Sequence, residues 1–145
     1  MNQLDGRILR SQKSQNLILD AIIKLINNGN LYPTAQEVAK ESGIAIRTVF
    51  RQFADMESLL MKVDELINEK LLNEESYINM SLSLSERLKK IIDERVYFYN
   101  KYENIMIATV TQLPKYKILQ KRYPEYQKLL RKRTEEIIPE ILSLK

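Results

Sequence analysis

The chain has 145 residues, 44% of them hydrophobic, which suffices for one ordinary core or for a small domain with a closely packed second unit. Three glycines and four prolines leave too little turn material for an all-β fold, and the absence of cysteine excludes a disulfide framework, a thiolate metal site and a nucleophilic thiol. The formal charge of +4 points to an anionic partner, but residues 1–72 hold nine Lys+Arg against nine Asp+Glu and residues 73–145 hold fourteen against ten, so net charge does not locate a surface for it.

Residues 1–13 show no sustained apolar period and carry Arg7, Arg10 and Lys13, which predicts a flexible basic arm. From Leu17 the spacing of Leu17, Ala21, Ile22, Leu25 and Ile26 predicts a helix over 14–28, with Ser14 as its cap and Gly29 as its left-handed stop. Thr34-Ala35-Gln36-Glu37 is a capping box opening a short second helix, and Ser42-Gly43 ends it. A third helix over 46–53 follows within a few residues. Asp55 is a candidate cap for a fourth over 55–72, whose stripe of Leu59, Leu60, Val63, Leu66 and Ile67 is wide enough to pack on two sides. Ser83-Leu84-Ser85-Glu86 is a second capping box and opens the longest helix, about 84–112. Pro114 is expected to begin a shorter segment to about 122, Pro124 to open a last helix, and Pro139 to kink or end it.

Two short helices joined by so tight a turn cannot bury themselves, so the first helix must serve as their platform in a helix-turn-helix unit over 14–54. Its expected core is Val38, Ala39, Gly43, Ile44, Val49 and Phe53: the alanine permits close approach, the glycine supplies the positive φ of the turn, and the branched residues wedge between the helices. The outer face of the third helix carries Arg47, Thr48, Arg51 and Gln52. An arginine can pair bidentately with guanine, a glutamine with adenine, and a threonine can meet a phosphate or a thymine methyl, so this face is expected to read double-stranded DNA.

Residues 14–67 resemble the N-terminal domain of TetR-family transcription regulators. The similarity is carried by Thr34, Val38 and Ala39 in the second helix, Gly43-Ile44 in the turn, Thr48, Val49, Phe50 and Phe53 in the recognition helix, and Glu57-Ser58-Leu59-Leu60 at the start of the fourth. The resemblance implies a ligand-responsive repressor that binds a pseudo-palindromic operator as a homodimer and releases it when an effector occupies the C-terminal domain. It implies base or phosphate contacts for Gln36, Arg47, Thr48 and Arg51, and backbone contacts for Thr34 and Gln52. Three positions depart from the family pattern. Ala45 replaces a capping serine, Phe50 replaces a tyrosine and is expected to be a core aromatic, and Met56 replaces a lysine.

Residues 73–145 are expected to form a helical effector and dimerisation domain, incomplete by comparison with that family. Phe98, Tyr99, Tyr102 and Met106 are candidate walls of a pocket for a small hydrophobic or aromatic effector, with core or dimer packing as the competing reading of the tyrosines. The basic run from Lys115 to Arg133 reads as a solvated face. With no histidine, no cysteine and no phosphate-binding glycine loop, an enzyme is not expected and neither a metal nor a cofactor is required. No stretch reaches the ~18 apolar residues of a membrane span and the N-terminus lacks a signal-peptide core, so a cytoplasmic chain is expected. A non-catalytic helical scaffold or adaptor is the rival to the DNA-binding reading.

Overall fold

A computed structural model describes residues 3–74 and 78–143, and among them the chain is all-helical. The elements are α1 (Gln3–Asn27), α2 (Ala35–Ser42), α3 (Ile46–Gln52), α4 (Met56–Glu74), α5 (Leu84–Gln112), α6 (Lys117–Ile137) and a terminal 3-10 turn (Pro139–Ser143). No helix among the described residues is long and apolar enough to cross a membrane.

The expected flexible arm is instead the first part of α1, which is continuous from Gln3. Ser14 does not cap a helix: its hydroxyl donates to the Arg10 carbonyl at 3.0 Å, the back-bond of a serine inside a helix. Residues 3–13 are rich in Gln, Leu, Arg and Lys, all good helix formers, so the lone Gly6 does not interrupt them. Gly29, at φ 93°, ends α1 as its position suggests.

Both capping boxes are formed. The Thr34 hydroxyl accepts from the Glu37 amide while the Glu37 carboxylate accepts from the Thr34 amide, and Ser83 and Glu86 repeat the arrangement at the start of α5. Asp55 caps α4 by accepting from the Ser58 amide at 2.7 Å. Two proline expectations fare differently. Pro139 does follow the end of α6, but Pro124 lies inside that helix instead of opening one. The lost backbone donor is offset by burial of Leu119 before it and Leu130 after it.

One buried cluster runs through Ile18, Ile22 and Ile26 of α1, Val38, Val49, Leu59, Val63 and Ile67, and on into Phe98, Tyr102, Ile105 and Ala108 of α5 and Leu130 of α6. It crosses the boundaries expected at residues 54 and 72. Polar links reinforce it: the buried Gln112 amide donates to the Leu31 carbonyl at 2.9 Å, and Asn104 donates to the Asn27 carbonyl at 3.1 Å. A second, smaller cluster of Ile78, Ile91, Ile137 and Ile138 is closed by the buried Arg87, which donates to the Ile137 and Leu82 carbonyls and pairs with Glu140. α5 leaves regular helical geometry at Tyr102 (φ −115°, ψ 16°).

Candidate nucleic-acid interface

The helix-turn-helix is built from its buried side outward. Val38 and Val49 are fully enclosed, and Ala39, Ile44 and Phe53 pack half-buried against the same cluster. Gly43 sits at φ 67°, ψ 14°, and a Cβ there would meet nothing within 4 Å, so the position demands glycine for its backbone and not for space. The turn is held locally as well: the Ser42 hydroxyl donates to the Ala39 carbonyl at 3.2 Å and accepts from the Ile44 amide at 3.3 Å.

With Val49 pointing inward at 1% exposure, the rotation of ~100° per residue turns Arg47 and Arg51 to the opposite side of α3. Both are exposed. One shoulder of that face carries Ile46 and Phe50, the other Thr48 and Gln52. Phe50 is 47% exposed, so it is not the core aromatic expected: the inward positions of so short a helix are already filled by Val49 and Phe53. Met56 packs half-buried against the core at the start of α4.

Among the described residues, the side chains of Gln36, Arg47, Thr48 and Arg51 make no hydrogen bond and no ion pair, so all four are chemically available. Thr34 and Gln52 have part of their hydrogen-bonding capacity engaged within the chain. The Thr34 hydroxyl gives its only proton to Glu37 at 2.8 Å. The Gln52 carbonyl oxygen accepts from the Ser11 hydroxyl and from the Gln15 amide, each at 3.1 Å. Both lone pairs of that oxygen are therefore occupied, and the acceptor needed for a bidentate adenine contact is missing. Gln52 thus ties α3 to α1 through its oxygen, and its amide N–H groups, the donors a phosphate contact needs, are not engaged among the described residues.

Ala45 offers α3 no side-chain cap, as its residue type dictates. The acids of this region are engaged elsewhere. Glu41 pairs with Lys24 at 2.5 Å, Glu37 and Asp55 serve caps that hold their carboxyls below the ordinary carboxylate range, and Glu57 accepts from the Ile118 amide at 2.8 Å. Around the helix-turn-helix, Glu37, Glu41, Asp55 and Glu57 are thus committed while Arg47 and Arg51 are not. Glu57 also has a role that spacing alone did not show, since it caps the first turn of α6 from α4.

The candidate effector residues are divided. Phe98, Tyr99 and Met106 line a cavity of about 60 Å³ between α4, α5 and α6, together with Asp64, Tyr123 and Tyr126. Tyr102 does not line it: its ring is buried against Phe98, with centroids 4.6 Å apart, and the Lys101 ammonium lies 5.2 Å from its centroid. Burial raises the Asp64 carboxyl above the usual aspartate range, with Arg122 and a hydrogen bond from Asn68 opposing that rise. The basic run of α6 is largely exposed, and Arg122, Arg131, Lys132 and Arg133 pair with Glu65, Glu135 and Glu136.

Comparison with protein-family models, with curated proteins and with solved structures gives no match to this chain.

Proposed function

We propose that this chain is a sequence-specific DNA-binding transcription regulator, non-catalytic, that presents α3 to the major groove of duplex DNA. The observation that carries the reading is the outward pair Arg47 and Arg51, flanked by Thr48, on a seven-residue helix whose opposite side is buried at Val49. Among the described residues none of these three polar side chains has a partner, which suits them to base edges and phosphates. The exposed Phe50 beside them supplies an apolar contact of the kind a thymine methyl accepts. The resemblance of residues 14–67 to TetR-family regulators adds the pseudo-palindromic operator, the homodimer and repression to this reading.

A homodimer is supported by the outer face of α5. Leu88, Ile92, Val96 and Tyr99 form an exposed apolar row that borders a groove of about 550 Å³ closed on its far side by Ile138 and Ile141. At the exposures of these side chains the patch amounts to ~500 Å², at the upper end of what a soluble monomer leaves open and more than half of the ~800 Å² per partner of a standard interface. A second copy covers such a row with the same row in an isologous contact. Replacing Ile92 by glutamate is expected to convert a dimer into a monomer in sedimentation equilibrium without lowering Tm; an unchanged mass would remove α5 as the interface.

For the effector, the cavity beside Phe98, Tyr99 and Met106 lies well below the ~300 Å³ of ordinary small-molecule sites, so occupancy requires α6 to move away from α4 and α5. The test of the main reading is selection of binding sites from random duplex DNA with the full chain. Recovery of a two-fold repeated motif supports it, and recovery of no motif with salt-insensitive binding favours the helical adaptor.

A further inference from the structure

We propose that the first turns of α1 form a fixed phosphate seat beside the recognition helix, in which Arg7 and Arg10 hold the DNA backbone that flanks the groove entered by α3. The inference rests on the DNA-reading role of α3 and adds a second contact surface to it. Because α1 is helical from Gln3, Arg7 and Arg10 stand one turn apart on the same face, and Ser11 and Ser14 continue that face one turn further on. This face and α3 enclose a polar cleft of about 660 Å³, to which α3 contributes Thr48 and Arg51.

Three guanidinium groups thus border one concavity, and among the described residues none of them is in an ion pair or donates a hydrogen bond. Like charges gathered without counter-charges repel one another, and a polyanion that enters the cleft relieves that repulsion. The cleft is also held in shape. The Gln52 carbonyl oxygen accepts simultaneously from Ser11 and Gln15, so the α1 turn that carries the arginines is bolted to the C-terminal end of α3. A cation on a flexible arm must be ordered on binding; here the helix and the Gln52 bridge have already fixed it, so less entropy is lost. Planar guanidinium forks suit phosphate oxygens, and a duplex supplies a row of them at a regular spacing.

The experiment uses the full chain and two duplexes, one carrying the selected motif and one with that motif scrambled, titrated by fluorescence anisotropy from low to high NaCl. The variants are Arg7→Ala/Arg10→Ala and Arg7→Lys/Arg10→Lys. With two phosphate contacts removed, the alanine pair is expected to lower the slope of log K against log salt by about 2, at ~0.9 per phosphate. Affinity should fall on both duplexes by the same factor, on the order of 10-fold or more at moderate salt, so that the ratio between them is unchanged. The lysine pair should keep most of the slope, and inorganic phosphate at millimolar concentration should not compete beyond its ionic strength, which separates a duplex backbone from a free anion as the ligand.

An unchanged slope in the alanine pair, with wild type binding its motif normally, overturns the phosphate seat while leaving the role of α3 intact. A loss confined to the selected duplex overturns it also, because it would make Arg7 and Arg10 readers of bases. If wild type binds neither duplex, the failure belongs to the DNA-binding reading itself. An acidic peptide that binds in place of DNA and loses affinity in the alanine pair would turn the cleft into a protein docking site and overturn the proposal.

Discussion

On the surface shared by α1 and α3, Arg7, Arg10, Arg47 and Arg51 make no ion pair among the described residues, whereas on α6 Arg122 pairs with Glu65, Arg131 with Glu135, and Lys132 and Arg133 with Glu136. The cause lies in helix spacing. Glu135 and Glu136 follow the α6 cations by three or four residues, the distance at which side chains meet on one face. No acid stands at that spacing from Arg7, Arg10 or Arg47, and the one that does from Arg51, Asp55, is engaged in capping α4. Among the described residues the C-terminal part of α6 therefore pairs its cations locally, although Lys117, Lys121 and Lys128 enter no ion pair, whereas the α1 and α3 arginines pair nowhere. An anion-binding face is marked by the absence of local counter-charge and not by the count of basic residues.

The sharpest way to break this comparison is to remove cations from each surface in turn. Arg47→Ala or Arg51→Ala is expected to weaken binding to the selected duplex by ~1–3 kcal/mol, about 10- to 100-fold, and to relax base preference at one position of each half-site. Arg131→Ala/Lys132→Ala should change affinity by less than about 2-fold, since those exposed pairs are already screened and satisfied. Anisotropy titrations of the three proteins at one salt concentration decide it, and equal losses from both surfaces would sink the distinction. Next in size is Gln52→Ala. Loss of the acceptor shared by Ser11 and Gln15 should lower stability by ~1 kcal/mol and detach α1 from α3, so specific binding should fall although no base contact is deleted. Unaltered thermal unfolding together with unaltered affinity would count against the bridge.

The extent to which this was legible in the sequence follows the range of each interaction. The two capping boxes placed the starts of α2 and α5 because Thr34 with Glu37, and Ser83 with Glu86, signal within three residues. Gly43 and the buried pair Val38 and Val49 followed from turn chemistry and periodicity in the same way. Ser14 misled because a serine serves equally as a cap or as an interior back-bonding residue, and the choice depends on what the preceding turn does. Pro124 misled because its local cost is outweighed by Leu119 and Leu130, which are buried only through tertiary packing. The resemblance places Thr34 and Gln52 at DNA-backbone positions, and the sequence does not show what else these side chains bind. The Thr34 hydroxyl is engaged by Glu37 and the Gln52 oxygen by Ser11 and Gln15, and for Gln52 this could emerge only once α1 extended back past residue 14. Pairing at long range was the illegible part, for the acids as much as for the amides: nothing in the spacing of Glu57 announces Ile118 as its partner.

A smaller effect tests whether α3 is stiffened at its own start. Ala45 precedes α3 in extended geometry (φ −56°, ψ 137°) and gives no side-chain cap, while the Thr48 amide falls back on the Ala45 carbonyl at 2.7 Å. Ala45→Ser supplies a hydroxyl for the first free amides and is expected to add ~1 kcal/mol of stability. Because the uncommitted arginines lie outside this cap, affinity for the selected duplex should stay within about 2-fold. Differential scanning calorimetry with a binding titration checks both halves, and a Tm that fails to rise would mean that the turn already satisfies those amides.

The smallest effect concerns Asp64, the acid of α4 on which Arg122 of α6 acts. Burial raises the Asp64 carboxyl while Arg122 and Asn68 pull it down, so the native state holds the Asp64 proton more tightly than the unfolded chain does. Its ionisation is therefore a penalty on folding at neutral pH, relieved as pH falls through the raised native value. Glu37, Asp55 and Glu86 act in the opposite sense: their carboxyls are lowered by hydrogen bonds at helix starts, so they stabilise the fold above the ordinary carboxylate range. That contribution is lost as pH falls through their lowered values. Asp64→Asn removes the penalty and keeps the shape, so it should raise stability at pH 7 by ~0.5 kcal/mol, at the low end of single-substitution effects. The gain should shrink on acidification, leaving the variant with the steeper dependence of Tm on pH. A variant destabilised at pH 7 would show that the attraction of Arg122 exceeds the cost of burial, and the α6 cations would then be structural partners in their own right.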